Sequence, residues 1–181
     1  MKKLIILIIL PILVLFFGCS KNNTNLSDKD KGNEAPVTDD NNIVKNQKYS
    51  FGPMADASKI DDETKRYLQD FLNKLGDPTK DKITFEVMRT KYESDGSLMV
   101  DIFIRNGNPE TVFNIDTTLQ LIENDVVIAT ADFKFTLEDF GKLPKDTSRP
   151  WTILYFPEDM KNKDIKIKNP IIKSTKCEYE F

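Results

Sequence analysis

At 181 residues, 39% of them hydrophobic and 30% charged, the chain holds one ordinary domain with length to spare for a segment that does not pack. A formal charge of −3 and a pI of about 5.2 exclude duplex nucleic acid as a partner, because binding its phosphates needs a basic face. The chain has no histidine, which removes the commonest general base, the Ser-His-Asp and Cys-His arrangements and most zinc sites. Without a glycine-rich phosphate loop either, it reads as non-enzymatic, with no catalytic residue, metal or cofactor.

The first element is "MKKLIILIILPILVLFFGC". Lys2 and Lys3 precede an apolar run from Leu4 to Phe17, and Gly18 and Cys19 follow it. The run is shorter than the ~20 residues that a membrane-spanning helix needs, and it fits the apolar stretch of an export signal. Residues 1–18 are therefore expected to be a removable signal peptide. A small residue followed at once by cysteine resembles the lipobox of bacterial lipoproteins, with Phe16 standing where leucine is usual. That resemblance implies that Cys19 takes up diacylglycerol and acyl chains such as palmitate. It would then be the new N-terminus and hold the protein to the extracytoplasmic face of the cell membrane. Removing Lys2 and Lys3 from the 26 basic side chains, against 29 acidic ones, would leave a charge of about −5. Cys177 is the second of the two cysteines and has no partner once Cys19 is acylated, so the domain must rely on its hydrophobic core.

Residues 19–50 include "SKNNTNLSDKDKGNEAPVTDDNNIVKNQKYS", rich in Asn, Asp, Lys and Ser and poor in periodic apolar positions. Such a composition cannot offset its ordering entropy, and the segment reads as a flexible polar tether with a reach of roughly 30 Å. The domain is expected over residues 51–181. It begins with an amphipathic helix in "SKIDDETKRYLQDFLNKLGDP", where Tyr67, Leu68, Phe71, Leu72 and Leu75 form one stripe. Ser58, Asp61 and Asp62 are candidate caps, and Gly76 and Pro78 mark the stop. The stripe is expected to pack on its own domain rather than on a partner.

After Pro78 the period falls from 3.6 to 2. Ile83, Phe85 and Val87 alternate with polar residues, and Leu98, Val100, Ile102 and Ile104 do so beyond a turn at Glu93 to Gly96. Phe113, Ile115, Leu119 and Leu121 point inward from the next strand. Asn124-Asp125 then turns the chain into a strand carrying Val127, Ala129, Ala131, Phe133 and Phe135 inward. A loop around Phe140 to Pro144 leads to a strand beginning at Trp151, and "STKCEYEF" closes the sheet. Pro150 lacks an N–H and belongs at a strand's first residue or on an edge. Trp151 is then the first inward side chain, a core residue in preference to a sugar-stacking platform. Several short strands joined by turns predict an antiparallel β-sandwich.

Three stretches together resemble the SLAP domain, a module of Gram-positive envelope proteins named for S-layer assembly. They are "FIRNG" at Phe103 to Gly107, "LQLIENDVVIATADFKF" at Leu119 to Phe135, and "GKLPKDTSRPW" at Gly141 to Trp151. The resemblance runs from about Phe85 to Phe156 and leaves the helix and everything after Pro157 outside. Lys145 replaces an expected proline, and "WTILYFP" is one residue longer than usual. The resemblance implies an immunoglobulin-like sandwich in the exported envelope and supplies no catalytic residue. Its signature residues, Arg105, Asn106, Gly107, Arg149, Pro150 and Trp151, have structural accounts. Asn106-Gly107 suits positive φ where a strand ends, and Arg105 lies on the face opposite the core residues.

The reading that follows is a membrane-anchored binding or assembly module of the cell envelope. It would be related to the surface layer or to secretion, with an envelope protein or wall polymer as partner. The alternative is a small-ligand sensing or accessory lipoprotein of a transport or sporulation complex.

Overall fold

In the computed structural model, residues 47–163 and 165–181 are described. The signal segment at 1–18, Cys19 and the tether through residue 46 lie outside them. The elements run β1 (Lys48–Tyr49), a 3-10 turn (Ala57–Lys59), α1 (Asp62–Lys74), β2 (Ile83–Tyr92), β3 (Leu98–Asn106), β4 (Phe113–Glu123), β5 (Val126–Phe135), β6 (Thr147–Tyr155) and β7 (Ile171–Glu180). They form two sheets, β1-β6-β3-β2 and β5-β4-β7. All pairings are antiparallel except β1 with β6. The chain is thus a mainly β sandwich with one helix, and its four-plus-three strands match the immunoglobulin-like architecture.

The core lies between the sheets. Leu98, Val100, Ile102 and Ile104 of β3 and Ile115, Leu119 and Leu121 of β4 are all fully buried. Each such side chain contributes about 1.5–3 kcal/mol relative to exposure, which matters in a domain whose Cys177 is a free thiol. Tyr155 closes the core at one end, edge-on to Phe133 at 5.3 Å. Its O–H donates to Leu119 O at 3.4 Å, and burial raises the phenol well above its ordinary range.

Two strands depart from simple alternation. Leu121 pairs with Ala129 and Ile122 with Val127, so Ile128 is an extra residue in β5. This bulge turns Ile128 into the core in place of Val127. At the start of β4 the ladder breaks between Phe113 and Asp116, and Asn114 is left-handed at φ 49°. Val112 is consequently the buried residue, while Phe113 lies half-exposed with the Lys142 ammonium 5.3 Å from its ring. The β4–β5 hairpin needs positive φ at both turn residues, and Asn124 (50°) and Asp125 (64°) supply it.

The helix is started by Asp61, whose carboxylate accepts from Thr64 N–H at 2.7 Å, with Asp62 and Glu63 in the first turn. It stops before Gly76, at φ 66°. Leu68 and Leu72 bury against Phe103 on the outer face of β3, and Phe71 stacks on Phe103 at 6.3 Å. The stripe therefore covers its own domain, and β3 is buried on both faces where the helix crosses it.

Two boundaries shift. Residues 47–50, which composition assigns to the tether, belong to the sandwich. Lys48 and Tyr49 pair with Thr147 and Ser148, and Gln47 is 3% exposed. Two residues of ladder and one polar side chain leave no hydrophobic period for sequence reading to find. The penultimate strand starts at Thr147 rather than Trp151, which places Pro150 inside β6, opposite Phe103. Proline is tolerated there because β1 has ended, so that β6 is an edge from Arg149 onward.

Candidate functional site

The six signature residues gather at one end of the β3–β6 ladder, where Arg105 pairs with Ser148 and Ile104 with Arg149. Arg105 is 1% exposed, on the face opposite the core but sealed by α1 and the chain that follows it. Its Nη2 donates to Gly76 O, so a cation caps the end of the helix dipole. Burial pulls its pKa down, opposed by the charges of Glu86 and Asp77.

Asn106 is fully buried and works as a clamp. Its Nδ2 donates to Glu110 O (2.8 Å) and Leu143 O (3.0 Å), and its Oδ1 accepts from Asn108 N–H (2.9 Å). Its own carbonyl accepts from Gln47 Nε2 at 2.7 Å. The expectation of positive φ at Asn106-Gly107 is not met: neither residue is left-handed. Glycine is required at 107 because a Cβ would run into the Thr79 carbonyl. That close approach lets Gly107 N–H donate to Lys82 O and its carbonyl accept from Asp81 N–H, each at 2.9 Å.

Arg149 repeats the pattern. Its guanidinium donates to Ser50 O (3.2 Å), Ser50 Oγ (3.1 Å), Lys142 O (3.0 Å) and Phe140 O, and lies over the Phe140 ring at 4.7 Å. Burial alone lowers its pKa. Arg149 therefore spends its donors on oxygens of distant segments, whereas Arg105 makes one such bond and its buried Nε is left without a partner. Trp151 faces inward, edge-on to Phe140 (5.3 Å) and Phe135 (6.2 Å), yet it is only partly buried rather than dry. The signature is a knot that ties residues 47–53, the β3–β4 crossing and the 140–144 loop together.

One further surface feature is a groove of about 730 Å³ on the outer face of the first sheet, between α1 and the 51–60 segment. Phe51, Met54, Ile60, Tyr67 and Met88 contribute to its walls, and Met54 (70%) and Tyr67 (52%) stand exposed there. Its polar lining includes Thr64 of α1 and a set on three strands, in which Arg89 Nε donates to Asp101 Oδ2 (2.9 Å) and Thr152 Oγ1 donates to Asp101 Oδ1 (2.7 Å). The groove can bury apolar side chains.

The SLAP domain family model matches residues 51–173, well over half of the chain. The chain belongs to the SLAP domain family. The SLAP match takes in α1 and reaches the start of β7, both outside the Phe85 to Phe156 stretch that carried the resemblance. The helix and the groove beside it are therefore parts of the SLAP domain, and the family associates the chain with the cell envelope and its surface layer. No curated protein and no solved structure matches the chain significantly. Sequence reading assigned no groove residue to binding. Pro150 and Trp151 of the signature nevertheless line it, and Tyr67, at the margin of the helical stripe, is a further signal, because a stripe residue too far round to reach Phe103 must face outward.

Proposed function

We propose that this SLAP domain is a non-enzymatic binding and assembly module of the cell envelope. It is held by lipid on Cys19 at the extracytoplasmic face of the membrane and takes an apolar segment of another envelope protein into the α1 groove. The observation that carries this reading is the convergence of exposed Met54 and Tyr67 on an apolar cleft. Methionine adapts to irregular partners, and an aromatic anchor supplies area at low entropic cost. An anionic wall polymer fits less well, because Arg89, the cation of the groove, is already bonded to Asp101 at 2.6 Å.

A photo-crosslinking residue at position 67 in cells is expected to capture an envelope protein, whereas one at Lys134 on the other sheet is not. Tyr67→Asp combined with Met54→Asp should abolish the association and leave the melting temperature within about 2 °C, since both side chains are exposed. Capture of wall glycan, or a small molecule retained in the cleft, would instead establish a polymer-binding or ligand-sensing role. The anchor has its own test. Cys19→Ala is expected to block palmitate incorporation and leave an unprocessed precursor, and equal labelling of variant and wild type would refute lipidation.

A further inference from the structure

The edges of the two sheets are not alike. On β5, Thr130 N–H donates to Asp159 O (3.1 Å) and Ile128 O accepts from Lys161 N–H (2.7 Å), so the loop after β6 covers part of that edge. β6 carries β1 and then Pro150, and β2 is bulged at Met88. β7 pairs with β4 on one side; on its other side no described residue forms a ladder, although β2 of the first sheet lies alongside. It presents ten residues of extended chain without proline or glycine. Its exposed charged side chains divide by sign, Lys173 and Lys176 first, then Glu178 and Glu180, beside exposed Ile171 and Thr175.

We propose that β7 is a self-recognition edge, through which two copies of this chain pair antiparallel about a two-fold axis at Cys177, joining two three-stranded sheets into one of six. With Cys177 opposite its counterpart, Lys176 lies across from Glu178 of the second copy. Lys176 also meets Glu178 of its own chain at 3.3 Å, and both side chains are exposed enough to exchange partners. Thr175 already stands out of the ladder with β4, where Thr118 pairs with Lys176 and Leu119 with Ser174. When Thr175 is skipped in the new ladder too, Lys173 falls across from Glu180 and Ser174 across from Tyr179. From Lys173 to Glu180, with Thr175 left out, each exposed residue then meets an exposed one and each half-buried residue a half-buried one. The two-fold axis doubles each match into four Lys–Glu pairs on the outer face.

Neighbouring registers fail on simple grounds. A slip by one residue sets exposed positions against half-buried ones. A slip by two sets Lys176 against Lys176 or Glu178 against Glu178, and like charges directly opposite are destabilising. Lysines and a bulge on an edge ordinarily discourage pairing. Here the opposite charge of the two halves makes the same features selective for one antiparallel partner, by strand addition. A contact of this size is weak and needs high local concentration. It lies on the other sheet from the α1 groove, so it neither needs nor excludes the partner proposed there.

The full chain in mild detergent tests the pairing. Lys173→Cys chains mixed with Glu180→Cys chains should form intermolecular disulfides under mild oxidation at least about tenfold faster than either alone, because antiparallel order brings 173 to 180 and keeps like positions apart. Unsubstituted chains set the background from Cys19 and from Cys177, whose thiol is pushed up by burial and reacts poorly. By sedimentation equilibrium, Lys176→Glu should weaken association about tenfold, and adding Glu178→Lys should restore it, since each pair occurs twice. Disulfides no faster in the mixture, or association indifferent to both charge changes, would overturn the proposal.

Discussion

Asn106→Ala is expected to destabilise the domain by about 3–5 kcal/mol, although it removes only a small amide. The carbonyls of Glu110 and Leu143 and the N–H of Asn108 all bond to that side chain at 2.8–3.0 Å. Leu143 O keeps a second donor in Val112 N–H, whereas the buried Asn108, which gives Asn106 Oδ1 both its N–H and its Nδ2, would lose its acceptor. Each buried group left unpaired costs about 1–3 kcal/mol, and the total is a large part of the 5–15 kcal/mol that holds a typical domain. The β3–β4 crossing and the Leu143 loop would separate together, so the urea midpoint should fall sharply with little change in slope. Asn73, on the exposed face of α1, is the control, and Asn73→Ala should stay within about 0.5 kcal/mol. Equal midpoints for the two variants would show that Asn106 is not a clamp.

Trp151→Ala is expected to cost about 3 kcal/mol, the low end for truncating a large core aromatic. The ring loses edge-on contact with Phe140 and Phe135, but part of its surface already meets solvent. Emission from the chain's single tryptophan should accordingly lie between that of a sealed indole and a free one, and iodide should quench it partially. Full quenching together with an unchanged melt would make Trp151 a surface platform and remove it from the account of the core.

The sequence by itself determined whatever depends on short-range period and local chemistry. The change from a 3.6-residue to a two-residue period located α1 and the strands, because side-chain direction along an element follows from backbone geometry alone. Asp61 and Asn124-Asp125 marked a helix start and a hairpin turn, because a cap and a tight turn are satisfied by atoms within a few residues. The stretches around Arg105 to Gly107 and Arg149 to Trp151 carried the family. Only the tertiary structure decided what those residues do. Arg149 is 4% exposed because its partners, Ser50, Phe140 and Lys142, arrive from segments up to 99 residues away, and no local rule predicts a cation spent on distant carbonyls. Gly107 is needed for a close approach to Thr79, not for its own φ, and that neighbour too is supplied by the fold. The bulge that sends Ile128 inward comes from the register between β4 and β5. The groove exists only where the 51–60 segment, α1 and the outer faces of β2, β3 and β6 meet, so none of its walls is complete in any one stretch of sequence.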